Sequence, residues 1–314
     1  MSDPDFLTSD IRSPWHEGEI ALQRRTGVAE RLDEIGRRVI RDHLIDQHRE
    51  FYPLLPMVVL GTLDPSERPW ATIRSGPPGF LSSPDPFRLS LALGPDPADP
   101  AEAGMAEGDP IGLLGIDLAT RRRNRLNGTV RREARGFSVD VNESFGNCPK
   151  YIQQRLVQAV EDEVAAPVVS RSLDAAARAM VRAADTFFVA SYSEDGDGRR
   201  VDVSHRGGLP GFVRVDAEGW LVIPDLPGNR FFQTLGNILT TGKAGLVFAD
   251  FETGDLLQMT GSAELLEEGD GGFSGAERLW RCKPEEVVSR GAALGLRYEP
   301  VEASPFLRGT GWTR

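Results

Sequence analysis

Cysteine is nearly missing: the chain has two in 314 residues, Cys148 and Cys282. Two cannot build a disulfide framework or a cysteine-rich zinc site, so a reducing, cytoplasmic setting is the expectation. Histidine is scarce too, at four. His43 and His48 stand five apart, off the spacing that puts a metal pair on one helix face, so no metal is expected. No run of about 18 apolar residues occurs, and no membrane span is expected. Residues 1–5 are acidic and lack the charged-then-apolar pattern of a leader. A basic excess is also lacking. The formal charge is -11, which argues against nucleic acid and anionic membrane surfaces as partners. Nor is there a Walker loop, a GxGxxG or a nucleophile elbow.

What is present is globular composition, 40% hydrophobic and 26% charged, with length for two ordinary domains. The most informative feature is a repeat. Gly76-Pro77-Pro78-Gly79-Phe80 returns as Gly208-Leu209-Pro210-Gly211-Phe212. Arg68 and Arg74 match Arg200 and Arg206 at the same offset. Further on, Gly112-Leu113, Asp117, Thr120 and Gly128 match Gly245-Leu246, Asp250, Thr253 and Gly261 with one residue of drift. The period is too long for a solenoid. Short strands with regular turns predict a small barrel or sandwich in each half.

The predicted organisation has four parts. Residues 1–50 are helical, with Pro14 at a first helical position and Val28, Leu32, Ile35 and Val39 on one face. Residues 51–148 form the first β copy. Residues 149–185 form a helical linker, with one stripe at Ile152, Leu156 and Val160 and a second helix capped by Ser172. Residues 186–314 form the second β copy, including a helix over 228–241.

Chemistry concentrates at Pro224-Asp225-Leu226-Pro227-Gly228-Asn229-Arg230. A strand ends there and a helix is predicted to start, with Asn229 capping it and Arg230 adding a fixed charge. Free helix amides with an arginine suit a phosphate; a capped helix with a surface arginine is the plainer alternative. On the preceding strand, Asp202, Ser204 and Arg206 alternate onto one face and His205 onto the other. That polar face is either solvated or a wall beside a ligand. Gln258 and Thr260 share a face late in the second copy, where the first copy has Arg125 and Asn127, with Arg123 in line. Arg123 and Arg125 are either solvated or reach across to the other half to meet an anion. Cys148 lies just before a predicted helix, where a thiol can gain acidity; a buried structural cysteine is the commoner alternative.

Gly207-Gly208-Leu209-Pro210-Gly211-Phe212, residues 224–230, Thr234-Leu235-Gly236-Asn237 and Gly245-Leu246-Val247-Phe248 together resemble the pyridoxamine 5'-phosphate oxidase-related family of FMN-binding split β-barrels. Ser13-Pro14-Trp15-His16 and residues 146–151 are similar to a bacterial subgroup with two such barrels. The resemblance implies a mainly β fold with flanking helices, as two tandem split β-barrels forming an intrachain pseudo-dimer. It implies FMN as cofactor, its phosphate held by Asn229, Arg230, Ser204 and Arg206. The flavin ring would lie near His205, Pro224, Asp225, Gln258 and Thr260, with Arg125 assisting from the first copy. That copy lacks a Gly-Asn-Arg helix start, so its own site is expected to be degenerate. No histidine follows His205, so the resemblance does not extend to true pyridoxamine phosphate oxidase activity.

The function expected is thus an FMN-dependent oxidoreductase passing electrons or hydride to a small molecule. The alternative is a flavin-binding sensor or carrier without turnover. Expected partners are a small-molecule substrate or a separate electron donor, with a homodimer as the expected assembly.

Overall fold

The computed structural model describes residues 13–160, 163–196, 198–266 and 272–313. The acidic start at residues 1–5 and Asp197, in a stretch read from the sequence as a hairpin loop, lie outside the described residues. The chain is mainly β, and its larger sheets are antiparallel.

Three helices come first: α1 (Glu17–Arg25), α2 (Ala29–Val39) and α3 (Asp46–Phe51). His16 caps α1, accepting from Gly18 N at 3.1 Å while Glu19 accepts from His16 N at 2.9 Å. The capping box starts the helix at Glu17, so Pro14 lies three residues before the first helical position and not at it. Then come β1 (Met57–Leu63), β2 (Pro69–Ser75), β3 (Leu81–Asp85), β4 (Arg88–Leu91), β5 (Pro110–Asp117), β6 (Arg122–Arg132) and β7 (Phe137–Gly146). They form a seven-stranded sheet in the order β2-β1-β5-β6-β7-β4-β3.

The segment predicted as a helical linker is different. Residues 154–159 form β8 (Gln154–Ala159), which pairs with β18 (Leu296–Glu302). A partner about 140 positions away, Leu156 opposite Glu299, overrides the four-residue apolar spacing. β9 (Val168–Ser170) follows, and only α4 (Ala175–Ala183) is helical. Its cap is Asp174, which accepts from Ala177 N at 2.8 Å, and not Ser172.

The second half supplies β10 (Thr186–Asp195), β11 (Gly198–Gly207), β12 (Arg214–Val215), β13 (Leu221–Asp225), α5 (Gln233–Thr241), β14 (Lys243–Ala249), β15 (Leu256–Leu265), β16 (Phe273–Ser274) and β17 (Arg278–Arg290). After β18, β19 (Gly311–Trp312) pairs with β16. The large sheet runs β11-β10-β14-β15-β17-β13-β12, with β9 added to β17. Taken in chain order, this is the strand order of the first sheet. Both sheets carry a bulge at the same place, after Asn127 and after Thr260. The repeated turns also match: Phe80 N donates to Pro77 O and Phe212 N to Leu209 O, each at 2.9 Å. Neither sheet closes into a barrel through its strand pairing.

Alternation along β1 and β10 explains how the halves join. Val58 and Leu60 face the first half's own core, and Phe187 and Val189 face the second's. Met57, Val59, Phe188 and Ala190 point the other way and meet in one shared core. Strands buried on both faces read as continuous apolar runs, as these do. The matched glycines lie at this contact. A Cβ on Gly112 would lie 2.8 Å from Val201 O of β11, and one on Gly245 would strike the Pro69 backbone of β2. Each half thus presses a side-chain-free strand against the other's backbone.

Candidate functional site

A cavity of about 100 Å³ lies where β6 and residues 147–151 of the first half face β11, β13 and α5 of the second. Of the residues singled out above, it is lined by Arg123, Arg125, Cys148, Ser204, His205, Arg206, Pro224, Asp225, Asn229 and Arg230. Gln258 and Thr260 are not among them.

The polar face of β11 is turned inward and not solvated. Asp202 and Ser204 are each 4% exposed. Arg125, itself 5% exposed, crosses from β6 to meet both. Its Nη1 lies 3.0 Å from Asp202 Oδ1, and its Nη2 donates to Ser204 Oγ at 2.6 Å. Thr234 Oγ1 donates to the same Ser204 hydroxyl at 2.8 Å, tying the first turn of α5 to the strand. Arg123 Nε donates to Cys148 O at 2.8 Å. Tyr151 closes the other side by donating to Pro227 O at 2.9 Å.

The helix begins later than residues 224–230 suggested. Phe232 is its N-cap position, in the left-handed region, and no side chain caps it. Asn229 Oδ1 accepts from Phe231 N at 3.1 Å, so it braces the loop and not the helix. Tyr151, Arg230 and Phe232 all have φ between 63° and 66°. Such conformations cost about 1–3 kcal/mol each in non-glycine residues and cluster at functional sites. Cys148 likewise precedes a turn and not a helix.

Charge is the dominant property here. Arg123, Arg125, Arg206, Arg230 and Lys150 line the cavity, against Asp225 and Glu277. Arg230 is 39% exposed and is held by Glu277 at 2.5 Å. Arg206 has Asp225 at 3.6 Å, and its Nε is buried without a partner, as is Arg125 Nε. Burial, then Arg125 and Arg206, pull Arg123 down to about 9. Burial and Arg125 also lower Arg206. Burial, with Arg123, Arg206 and Arg155 close by, drives His205 well below its usual range, so the ring is neutral. Guanidiniums keep their charge in proteins. The strain on these groups is therefore the cost of crowding cations with too few anions, and a bound anion relieves it.

Gln258 and Thr260 sit at the opposite join. Gln258 Nε2 donates to Ala71 O at 3.1 Å and to Asp99 Oδ1 at 2.9 Å. Asp99 also accepts from Thr72 Oγ1 at 2.5 Å and faces Arg290 Nη1 at 3.3 Å. Asp96 pairs with the same arginine, and Glu102 with Arg74 at 3.2 Å. Sequence reasoning passed over this cluster, and over Tyr151, Gln233 and Glu277 at the cavity. Tyr151 and Thr234 fell within quoted motifs, but neither was given a role. Glu277 has no motif around it; pairing of β13 with β17 brings it in.

No family model matches the chain, and no curated protein matches it. Solved structures overlap it weakly. HupZ of Group A Streptococcus is 15% identical, over 42% of this chain and 98% of that one, with a TM-score of 0.28. A candidate 5-nitroimidazole antibiotic resistance protein of Bacteroides thetaiotaomicron is 10% identical, over 43% and 95%, with a TM-score of 0.28. The K. pneumonia MrkH–c-di-GMP complex is 8% identical, over 80% and 87%, with a TM-score of 0.25. The first two have the split-barrel fold. Overlap at these scores carries no argument for this chain, whose fold is read from its own strand pairing.

Proposed function

We propose that the chain is a flavoprotein built from two tandem split barrels, which binds one FMN at the cavity between the halves and acts as an oxidoreductase on a small molecule. One observation carries this reading: guanidiniums with unpartnered Nε atoms, Arg125 and Arg206, converge on a cavity in a chain of net charge -11. A volume of about 100 Å³ suits the phosphate end of the cofactor; whole-ligand pockets run to about 300–1,000 Å³. Arg206 and Arg123 would hold the phosphate charge, with Ser204 and Thr234 as hydroxyl partners. Arg125, braced by Asp202, would fix their positions. FMN would supply the electron chemistry, and the protein position and charge.

The visible spectrum of the purified protein tests this directly. A yellow protein that binds FMN far more tightly than riboflavin is expected, because riboflavin lacks the phosphate. A colourless protein that ignores added FMN would overturn it. A second reading, flavin binding without turnover, is favoured by the carboxylates at the cavity. Both face arginines, which leaves no free acid–base pair. Mixing with NADH or NADPH separates the two: bleaching of the flavin band supports the enzyme, and an unchanged band supports the binder.

A further inference from the structure

A second cavity, of about 330 Å³, lies between α3, the start of β6 and residues 146–149. That volume is in the range of small-molecule sites. Its wall carries Arg121, Arg122, Arg123 and His48, and no carboxylate. Arg121 is occupied elsewhere, donating to Ile152 O at 3.0 Å and to the Glu302 carboxylate at 3.2 Å. Arg122 is not. It is exposed, its guanidinium carbon stands 4.8 Å from the Phe51 ring centroid, and it has no carboxylate partner among the described residues. A planar cation laid on a buried ring offers both a charge and a flat surface for stacking.

His48 adds a directed group. It is 8% exposed, and its Nδ1 lies 3.1 Å from Ser144 Oγ. Asn124 Nδ2 donates to that hydroxyl at 3.5 Å. The neutral ring carries one N–H, on Nε2 when the Ser144 hydroxyl donates to Nδ1 and on Nδ1 when it accepts. Burial, Arg41 and Arg122 hold the ring at about 4, so it is neutral at pH 7 and adds polarity to the wall without adding charge. Asn147 Oδ1, in the wall common to both cavities, is buried without a partner. It can accept from a ligand hydroxyl or amide.

We propose that this cavity binds a small organic anion with a flat body, of which an aromatic carboxylate is the simplest form. Arg122 takes the carboxylate, and Phe51 and Pro149 flank the ring. Arg123 and Asn147 line both cavities, so the anion lies beside whatever fills the first. Its role as the second reactant rests on the flavin reading; its binding does not.

Benzoate is the probe, titrated calorimetrically into the whole chain with and without saturating FMN. One benzoate per chain is expected in both conditions. Arg122→Gln should weaken benzoate tenfold or more and leave FMN affinity unchanged. Arg122 is exposed, so an unaltered melting temperature will show that the variant folds. No benzoate binding, equal affinity in the variant, or loss of benzoate when FMN is bound would each overturn the proposal. If FMN never binds but benzoate does, and responds to Arg122, the flavin reading fails and this one stands.

Discussion

The two joins between the halves are built on the same plan and filled in opposite ways. Thr72 sits opposite Leu60 in one sheet as Ser204 sits opposite Val189 in the other. At the second half's join, Arg125 crosses to Ser204 and a cation-lined cavity remains. At the first half's join, Gln258 and Arg290 cross to Asp99, and the chain's own carboxylates meet the cations. Asp96, Asp99 and Glu102 all come from residues 94–110, a Pro-rich, acidic stretch where the second copy has its Gly-Asn-Arg segment. The charge balance, more than the strand order, separates a site able to take an anion from one that has already taken its own.

The largest effect should come from breaking the sealed join. Asp99→Ala leaves Arg290, 3% exposed, short of a buried counter-ion. Removing one partner of such a pair costs about 3–5 kcal/mol. Urea unfolding should report that loss with FMN affinity unchanged. At the open join, Arg206→Ala should weaken FMN about 100-fold, or about 2.7 kcal/mol, since it removes a partly buried charged donor. Fluorescence titration measures it, and full affinity in this variant would remove Arg206 from the site.

Acid should act on the open side, because the histidines His48 and His205 lie there. The folded His48 is held at about 4 against 6.5 in the unfolded chain. The unfolded chain therefore binds the proton first as pH falls. Stability is full above about pH 6.5 and is lost progressively down to about pH 4. By pH 5 the loss amounts to about 2 kcal/mol. His48→Gln should lose correspondingly less stability between pH 7 and pH 5 in thermal melts. The smallest effect is expected from Arg230→Ala. Arg230 is 39% exposed and shared with Glu277, and half-exposed ion pairs contribute at most about 1 kcal/mol. A drop in FMN affinity of about fivefold is expected; a drop as large as that for Arg206 would move the centre of the site toward the loop.

Much of this was legible in the sequence where the information is local. The repeated turn and the alternating β11 strand are each encoded within a few residues. What failed was non-local. β8 looked helical because its partner, β18, is far away in the chain. The family resemblance put Gln258 and Thr260 near the flavin ring, but Gln258 turns to the first half's β2, donating to Ala71 O. Helix α5 was started too early because Gly228-Asn229-Arg230 mimics a cap. The chain instead spends those residues on a loop with Arg230 and Phe232 in left-handed conformations. Of the charge crowding, only the reach of Arg123 and Arg125 across to the other half was offered by the sequence; their meeting with Arg206 and Arg230 joins three separate segments.

Helix α1 packs on α5. Gln23 Nε2 donates to Phe231 O at 3.3 Å across 208 positions, and a Cβ on Gly18 would strike Gly236 O. During synthesis, at about 5–20 residues per second, α1 emerges roughly 10–40 s before its partner exists. Leu22, which ends in the second half's core, must wait uncovered over that interval. Contacts of such long range also slow folding. The cavity wall is therefore among the last parts of the molecule to be completed, and a nascent chain stalled before α5 has no cavity to fill.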